Sequence, residues 1–234
     1  MTVRPRRAGN PFSVAVMTPW LELILPCLDE APALPWVLNR VPAGVVPIVV
    51  DNGSRDGSGE VAARLGARVI QCRRRGYGAA CHAGLAAATA RYVAFCDCDA
   101  SLDPAQAVAA AELVRAGAAQ LVVARRRPES GSAWPLPARI ANRELARRFR
   151  RRTGVPLRDL GPIRAAERIP LLSLPIHDRR SGYPLETVLR AAQAGWRIEP
   201  FDVRYRPRTG RSKVTGTLRG ALTAVRDMSA VLQT

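Results

Sequence analysis

The chain has 234 residues, of which 47% are apolar, so it is long enough to bury a full hydrophobic core, and an intrinsically disordered protein is excluded. No apolar stretch approaches the roughly 20 residues that cross a bilayer, which argues against a transmembrane protein. The formal net charge of +17 predicts attraction to polyanions, namely nucleic acid, an anionic membrane surface or phosphorylated substrates.

The N-terminus and the cysteines indicate the compartment. Residues 1–19 form a basic extension, and the apolar segment Phe12–Leu25 is interrupted by Pro19 and Glu22, so a signal peptide is not expected. The five cysteines lie in or beside apolar runs without C-x-x-C spacing: Cys27, Cys72, Cys81, Cys96 and Cys98. They are expected to be structural thiols in a reducing compartment, which predicts a cytoplasmic protein.

In chain order, strand and helix patterns alternate through the first half. Apolar runs with β-branched residues predict five strands: Leu21–Leu25, Val45–Val50, Arg68–Cys72, Tyr92–Cys96 and Gln120–Ala124. Helical segments lie between them: Ala31–Arg40, Ser58–Leu65, Tyr77–Ala90 and Pro104–Ala116. This alternation predicts an α/β fold, a doubly wound and mostly parallel sheet with helices on both faces.

The second half begins with a loop, Arg125–Pro137, and is more basic. We expect five further elements: helix Arg139–Arg152, a short helix within Ile163–Ile169, helix Leu185–Ala194, strand Ile198–Tyr205 and a terminal helix Leu218–Leu232. The first of these carries seven arginines against one glutamate and repeats apolar residues at every fourth position. Such a helix either packs an apolar stripe on the core beneath a solvated basic face or lies on a membrane surface.

The most informative motif is Asp97-Cys98-Asp99, directly after the apolar run Tyr92–Cys96. Residues i and i+2 of an extended chain point to the same side, so both carboxylates can converge where open α/β sheets bind ligands. Hard oxygen ligands suit Mg²⁺ or Mn²⁺, which usually also hold substrate phosphates. The alternative is a solvated strand end at which Asp99 or Asp103 only caps the next helix.

Further acidic residues follow the first two strands. Pro26–Glu30 follows the first strand, and Asp51–Ser58 follows the second. Carboxylates at this sheet edge can accept hydrogen bonds from ribose hydroxyls and base N–H groups. The alternative for the Asn-Gly and Asp-Gly dipeptides of the second segment is turn chemistry, which leaves Asp51 itself available for binding.

A glycine-containing segment opens the third helix. Arg74–Ala80 has two glycines, two arginines and no acidic residue, so it is expected to offer backbone N–H groups and positive charge to an anion. It lacks the Gly-Lys-Ser/Thr ending of a P-loop and the last glycine of a dinucleotide fingerprint, which argues against both of those sites.

The order of these motifs resembles the family 2 glycosyltransferases of the GT-A fold, and within them the dolichyl- or polyprenyl-phosphate sugar synthases. Five motifs between about Leu23 and about Asp227 carry the resemblance: Pro26–Glu30, Val50–Ser58, Gly76–Gly84, Asp97–Asp99 and Gly210–Lys213. The resemblance implies a nucleotide-sugar-binding half, residues 20–125, and an acceptor-binding half, residues 126–234, of one domain.

The resemblance assigns donor-binding positions. Pro26 and Glu30 match residues that hold the ribose of the nucleotide, and Asp51 matches the acid that contacts the base. Gly76 lies in the matching glycine segment. The Asp97–Asp99 motif matches the D-x-D that binds Mg²⁺ or Mn²⁺ and bridges the donor diphosphate.

On the acceptor side, the resemblance assigns mostly basic residues. Arg125 and Arg139 match arginines near the acceptor phosphate, and Glu186 matches an acid of the acceptor-side helix. Arg208 and the pair Ser212–Lys213 match a loop that closes over the donor and acceptor phosphates. Lys213 is the only lysine of the chain and supplies a compact point charge to phosphate.

Three departures from the family pattern are visible. Asn52 replaces the second acid that often follows the second strand, and Leu28 stands where a tyrosine is common. Many relatives have C-terminal transmembrane helices and this chain has none, so any membrane contact is expected to be peripheral, at the inner face of the membrane.

The implied reaction is metal-dependent transfer of a mannose- or glucose-type sugar from a GDP- or UDP-linked donor to a polyprenyl phosphate, with inversion of the anomeric centre. An ionised phosphate acceptor needs no general base, so the expected catalytic residues position the reactants and offset their charge: Asp99, Arg139, Arg208 and Lys213. The basic helix is expected to contact an anionic membrane surface.

Two alternatives remain open from the sequence. The first is a glycosyltransferase with a soluble, non-lipid acceptor. The second is a non-catalytic basic nucleic-acid-binding protein, which the low aromatic content of 5% and the lack of a recognition-helix motif disfavour. We therefore expect no specific nucleic-acid partner.

Overall fold

The structure, a computed structural model, describes residues 19–210 and 226–232. The strands of this part are β1 (Leu21–Cys27), β2 (Val45–Asp51), β3 (Arg68–Gln71), β4 (Tyr92–Phe95), β5 (Leu121–Pro128), β6 (Arg164–Glu167) and β7 (Ile198–Tyr205). The helices are α1 (Leu34–Leu38), α2 (Ser58–Arg64), α3 (Tyr77–Ala87), α4 (Pro104–Arg115), α5 (Leu136–Thr153), α6 (Arg168–Ser173) and α7 (Tyr183–Gln193). Residues 226–231 are also helical.

One sheet contains all of these strands, in the order β3-β2-β1-β4-β6-β5-β7. Strands β1 to β4 pair in parallel, β6 runs antiparallel to both of its neighbours, and β7 is parallel to β5. The chain adds β2 and β3 on one side of β1 and then crosses over to add β4 on the other side. The topological switch point therefore lies between β1 and β4, and ligands of open α/β sheets bind outside the carboxyl ends of the strands at such a point.

Helices cover both faces of the sheet, and each face has its own hydrophobic core. On one face, α1, α2 and α4 pack on the sheet through buried residues that include Leu34, Ala62 and Ala107. On the other face, α3 and α7 do so through residues that include Leu85 and Val188, and α5 and α6 add to the same core. These findings confirm the predicted α/β fold, a mostly parallel sheet between two layers of helices.

Strand β6 was not predicted, since a short helix was expected within Ile163–Ile169. The structure has a four-residue strand, Arg164–Glu167, which fills the space between β4 and β5, and helix α6 begins only at Arg168. Four residues are too few to display an alternating pattern, and three of them lie in the sheet interior regardless of their polarity. The prediction of a helix at this position was therefore wrong, since most of it is a strand.

Two boundaries also differ from the sequence prediction. Helix α1 covers only Leu34–Leu38, because Pro35 favours the first turn and Pro32 lies outside it. Strand β5 continues to Pro128, through residues expected to begin a loop, because it pairs along its whole length with β7. All five cysteines are free and buried, as expected for structural thiols.

Candidate active site

The two carboxylates of the Asp97-Cys98-Asp99 motif lie just beyond β4, at the switch point of the sheet. Asp97 is half-buried, and its Oδ1 accepts a hydrogen bond of 2.9 Å from the Tyr77 hydroxyl. Asp99 is buried, and its Oδ1 accepts a hydrogen bond of 3.0 Å from the Ser101 backbone N–H. Neither aspartate caps helix α4, because Asp103 does so through the Ala105 N–H.

The motif concentrates negative charge. Burial and the neighbouring charge of Asp99 raise the pKa of Asp97 to about 6, although the Tyr77 hydrogen bond opposes this shift. Two carboxylates that disfavour each other's charge are a suitable ligand set for a hard divalent cation, which would relieve that repulsion.

Arg208 joins the ends of β1 and β4 across the switch point. Its Nη2 lies 3.0 Å from Asp99 Oδ2 and 3.3 Å from Glu30 Oε1. The segment that carries Arg208 follows β7 and is held against the motif by a backbone hydrogen bond of 2.8 Å from the Thr209 N–H to the Asp99 carbonyl. Residues predicted from three distant parts of the sequence therefore meet at one point.

The loops after β1 and β2 are tied together by side chains of the second loop. The Ser54 hydroxyl accepts from the Asp29 N–H at 3.0 Å, and the Ser58 hydroxyl accepts from the Glu30 N–H at 2.9 Å. Pro26 lies at the end of β1 in this region. The acidic loop is thus fixed beside the D-x-D motif rather than free in solvent.

The Asp51 carboxylate stabilises the turn that follows β2. Its Oδ1 accepts from the Ser54 N–H at 2.8 Å, and its Oδ2 accepts from Gln71 Nε2 at 3.3 Å. Burial would raise the pKa of Asp51, but these hydrogen bonds outweigh it, and the pKa lies below its usual value. Asp51 is therefore an ionised acceptor at the sheet edge, with part of its hydrogen-bonding capacity already used.

The glycine-rich segment before α3 does not offer a set of open N–H groups, which corrects the expectation of an anion cradle. The Gly76 N–H donates to Asn52 Oδ1 at 2.8 Å. The N–H groups of Gly78 and Ala79 donate to the carbonyls of Arg179–Arg180 at 3.0 and 2.8 Å. The glycines permit this close backbone approach, because a Cβ on Gly76 would lie 2.3 Å from a carbonyl oxygen.

Asn52 explains one departure from the family pattern. Its Nδ2 donates to the carbonyls of Cys72 and Arg74 at 3.0 and 2.7 Å, while its Oδ1 accepts from Gly76. A carboxylate has no hydrogens to donate, so an acid could not make this connection. Asn52 therefore holds the glycine-rich segment in its conformation.

Of the residues predicted on the acceptor side, Arg208 contacts the D-x-D motif, whereas the described interactions do not bring Arg125, Arg139 or Glu186 to it. Arg125 forms an ion pair with Asp202 across β5 and β7, with Nη2 to Oδ2 at 2.8 Å. Glu186 is buried and accepts from the N–H groups of residues 177 and 178 at 2.9 and 2.6 Å. Arg139 is exposed in the first turns of α5. Ser212 and Lys213 lie outside the described residues.

A basic cavity lies beside α5. It has a volume of about 570 Å³ and is lined by Arg143 and Arg150 of the helix and by Pro156 and Arg158 of the following loop. Helix α5 buries Ala146 and Phe149 on the core, so it is amphipathic as predicted, and its other side is basic. Three guanidinium groups around one cavity attract an anion.

Sequence reasoning missed two residues beside the motif, Tyr77 and Arg164. Tyr77 was treated only as part of the glycine segment, although it bonds Asp97. Arg164 is fully buried in β6, next to Phe95 of β4. A single charge inside the apolar run Ile163–Ala166 was the signal that could have identified it.

An open α/β sheet of this topology with a D-x-D motif at its switch point defines a glycosyltransferase of the GT-A class. The sequence model of the family described as Glycosyl transferase family 2 matches residues 23–166, and the chain belongs to this family.

Named relatives agree with this assignment. The chain is 47% identical over 213 residues to an uncharacterized glycosyltransferase of Mycobacterium tuberculosis, covering 91% of this chain and 97% of the relative. It is 28% identical over 204 residues to a dolichyl-phosphate hexose transferase of Haloferax volcanii, covering 86% and 89%.

Solved structures share the fold. One is the glucosyl-3-phosphoglycerate synthase of Mycobacterium tuberculosis in complex with Mn²⁺, UDP-glucose and phosphoglyceric acid. It has 26% identity and a TM-score of 0.70, and the match covers 91% of this chain and 78% of that one. A complex of the same enzyme with Mn²⁺, UDP and glucosyl-3-phosphoglycerate has a TM-score of 0.72 at 24% identity over the same shares. Within the described part of our chain, no helix is both long and apolar enough to cross a membrane.

Proposed function

We propose that the protein is a metal-dependent hexosyltransferase that uses a nucleotide-diphosphate sugar and a small, soluble, phosphorylated acceptor. The observation that carries this proposal is the meeting of Asp97, Asp99, Glu30 and Arg208 at the switch point of a GT-A sheet. In this proposal residues 20–125 bind the donor and residues 126–234 supply the acceptor side, with Arg208 reaching back to the donor site.

Asp97 and Asp99 are the residues that would hold Mg²⁺ or Mn²⁺. Burial and the neighbouring charge of Asp99 together raise the pKa of Asp97, and a cation at this position would offset both effects. Two carboxylates leave coordination positions for phosphate oxygens, as is usual for these ions. When bound, the ion offsets the negative charge that develops on the departing nucleoside diphosphate.

The nucleoside would bind over the loops after β1 and β2. Glu30 and Asp51 are the carboxylates there that can accept from ribose hydroxyls and from the base, and Pro26 borders them. The serine hydrogen bonds described above hold this surface in place before the donor arrives, which lowers the entropic cost of binding. We favour a UDP-linked hexose, since the 26% identical neighbour is a complex with UDP-glucose.

Arg208 would change partners when the donor binds. In the donor-free protein it neutralises Asp99 and Glu30. Arg208 would then be available to the diphosphate, where its fork of N–H donors suits phosphate oxygens. Ser212 and Lys213 follow in the chain and are proposed to act on the same phosphates.

The acceptor would carry a phosphate or a similar anion. The arginine-lined cavity beside α5, with Arg139 on the same helix, supplies positive charge on the acceptor side. The choice of a small soluble acceptor rests on the neighbour whose complex contains phosphoglyceric acid.

A polyprenyl phosphate is the second candidate acceptor. The 28% identical dolichyl-phosphate hexose transferase favours it, and so do two exposed apolar residues of α5, Leu136 at 63% and Ile140 at 61%. Apolar residues flanked by arginines are typical of helices that rest on an anionic membrane. In this case an ionised phosphate would attack in a single displacement, with inversion.

The test is a matrix of donors and acceptors. The purified protein is incubated with Mn²⁺, UDP- or GDP-hexoses, and either phosphoglyceric acid, glycerol 3-phosphate or a short polyprenyl phosphate, and nucleotide release is measured. The proposal predicts release that depends on a soluble phosphorylated acceptor and is lost in Asp97→Asn. Release that depends only on the lipid phosphate would establish the second candidate, and no release from any donor would refute both.

A further inference from the structure

Arg164 is an unusual residue for a sheet interior. It lies in β6 opposite Phe95 of β4, its side chain is completely buried, and its guanidinium carbon is 5.1 Å from the centre of the Phe95 ring. Buried arginines are normally paired with a carboxylate. Within the described residues Arg164 has no such ion pair, and none of its three nitrogens makes a well-aligned hydrogen bond.

The groups that face Arg164 come from the first turns of α3 and α7. They are the hydroxyls of Tyr77 and Tyr183 and the thiol of Cys81. The positive charge of Arg164 also acts on the Asp97 carboxylate, where it opposes the rise in the pKa of that group. An arginine side chain is effectively always protonated in a protein, even when it is buried. The buried guanidinium therefore stays charged, and the Tyr77 hydroxyl is the member of this set that also contacts Asp97.

The hydrogen-bonding capacity of these groups determines which way the O–H bond of Tyr77 points. A guanidinium has only hydrogen-bond donors, whereas a tyrosine hydroxyl has one hydrogen and lone pairs on oxygen. A guanidinium beside that oxygen favours the orientation in which the tyrosine hydrogen points away from it. The Tyr77 hydroxyl indeed donates to Asp97 Oδ1, at 2.9 Å.

We propose that Arg164 is a positioning residue that acts through Tyr77 to orient the Asp97 carboxylate for metal binding. With Oδ1 held by the tyrosine, the second oxygen of Asp97 is left for the cation. The inference rests on the proposed metal role of Asp97, and it adds two residues on β6 and α3 that touch neither the metal nor the substrates. Partners that orient a ligand in this way typically change metal affinity by about 10–100-fold when they are removed.

The experiment measures Mn²⁺ binding rather than activity. Free Mn²⁺ is followed by electron paramagnetic resonance during titration of the protein in saturating UDP. Tyr77→Phe removes only the hydroxyl, Arg164→Met removes the charge at similar length, and Arg164→Lys restores a donor. Leu171→Ala is the matched control, because Leu171 is buried in the same core and lies outside the proposed relay.

The expected result is a rise of about tenfold in the Mn²⁺ dissociation constant for Tyr77→Phe and for Arg164→Met, and partial recovery in Arg164→Lys. Because Arg164 acts mainly through the hydroxyl, the two losses should be less than additive, so adding Arg164→Met to Tyr77→Phe should weaken Mn²⁺ binding by less than Arg164→Met does alone. Leu171→Ala should lower the melting temperature and leave Mn²⁺ affinity unchanged.

Two outcomes overturn the inference and are distinguishable. If Asp97→Asn abolishes UDP-dependent Mn²⁺ binding while Tyr77→Phe binds like the wild type, the relay is wrong and the proposed metal site stands. If wild type and Asp97→Asn bind Mn²⁺ equally, or neither binds, the metal site and the relay both fail. If Arg164→Met does not fold, Tyr77→Phe still tests the hydroxyl and Arg164→Lys tests the guanidinium, and wild-type Mn²⁺ affinity in either variant overturns the inference.

Discussion

Replacing Arg208 with alanine tests whether its guanidinium neutralises the D-x-D motif in the donor-free protein. Nη2 of Arg208 lies 3.0 Å from Asp99 Oδ2 and 3.3 Å from Glu30 Oε1, and those two side chains are only 6% and 8% exposed. The substitution leaves two nearly buried carboxylates without this cation. Loss of stability and a new dependence on an external cation should follow together.

The expected loss of stability in Arg208→Ala depends on how deeply the ion pairs of Arg208 are buried. Removing one partner of a fully buried ion pair costs about 3–5 kcal/mol. The Arg208 side chain is 30% exposed, so solvent screens part of the charge, and we expect a loss of about 2 kcal/mol. For a chain of this size, that corresponds to a fall of about 4–8 °C in the melting temperature. Mn²⁺ should restore most of this loss if it binds the same carboxylates.

The assay is thermal unfolding of wild type and Arg208→Ala, each with EDTA and with Mn²⁺. Arg206→Ala is the matched control, because this neighbouring arginine is 47% exposed and makes only weak surface contacts, 3.8 Å from Glu129 and 5.0 Å from the centre of the Trp36 ring. The control should melt like the wild type under both conditions. Equal melting of Arg208→Ala and wild type in EDTA, or equal stabilisation of both by Mn²⁺, would refute the reasoning.

Three further predictions concern the site and its support. Asp97→Asn should abolish transfer yet raise the urea stability of the metal-free protein at pH 7 by about 1–2 kcal/mol, because the folded pKa of about 6 exceeds the usual value of 3.8. Because the pKa is raised, the wild type becomes more stable as pH falls through 6, and the extra stability of Asp97→Asn should therefore vanish near pH 4. A stability difference between the two proteins that does not change with pH would contradict the raised pKa of Asp97. Asn52→Asp loses the two hydrogen bonds that the Asn52 amide donates, and it should lower the free energy of unfolding in urea by about 2 kcal/mol. It should also raise the KM for the donor more than the control Asn39→Asp does, since Asn39 is exposed. Phe149→Ala should lower the free energy of unfolding in urea by about 3–5 kcal/mol, because the ring is completely buried in the core beneath α5. It should leave Mn²⁺ affinity unchanged.

The sequence was sufficient for most of the sheet and for the centre of the site. Strands such as β2 and β4 are buried on both faces, so they appear as continuous apolar runs bounded by turn residues. Parallel strands place their carboxyl ends at one edge, and this rule alone located Glu30, Asp51 and the D-x-D motif together. No distance had to be known for that inference.

The errors arise where a residue's role depends on a distant part of the chain. The N–H groups of Gly78 and Ala79 looked available for an anion, but their acceptors are the carbonyls of Arg179–Arg180, about a hundred residues away. Arg164 is visible in the sequence only as a single charge in a short apolar run, and its complete burial follows from the insertion of β6 between two strands. Local patterns carry no information on such partners.

The two halves of the chain are coupled through charge at the donor site. Asp97 is held by a tyrosine that faces Arg164 of β6, and Asp99 is paired with Arg208, which follows β7. Both cations therefore come from the half that the resemblance assigns to the acceptor. In the proposed function a metal ion would compete with these internal cations, so substitutions in the second half should alter the metal requirement as well as acceptor affinity. The negative charge available at the motif therefore depends on the folded sheet, which places Arg164 and Arg208 beside it, as well as on the two carboxylates themselves.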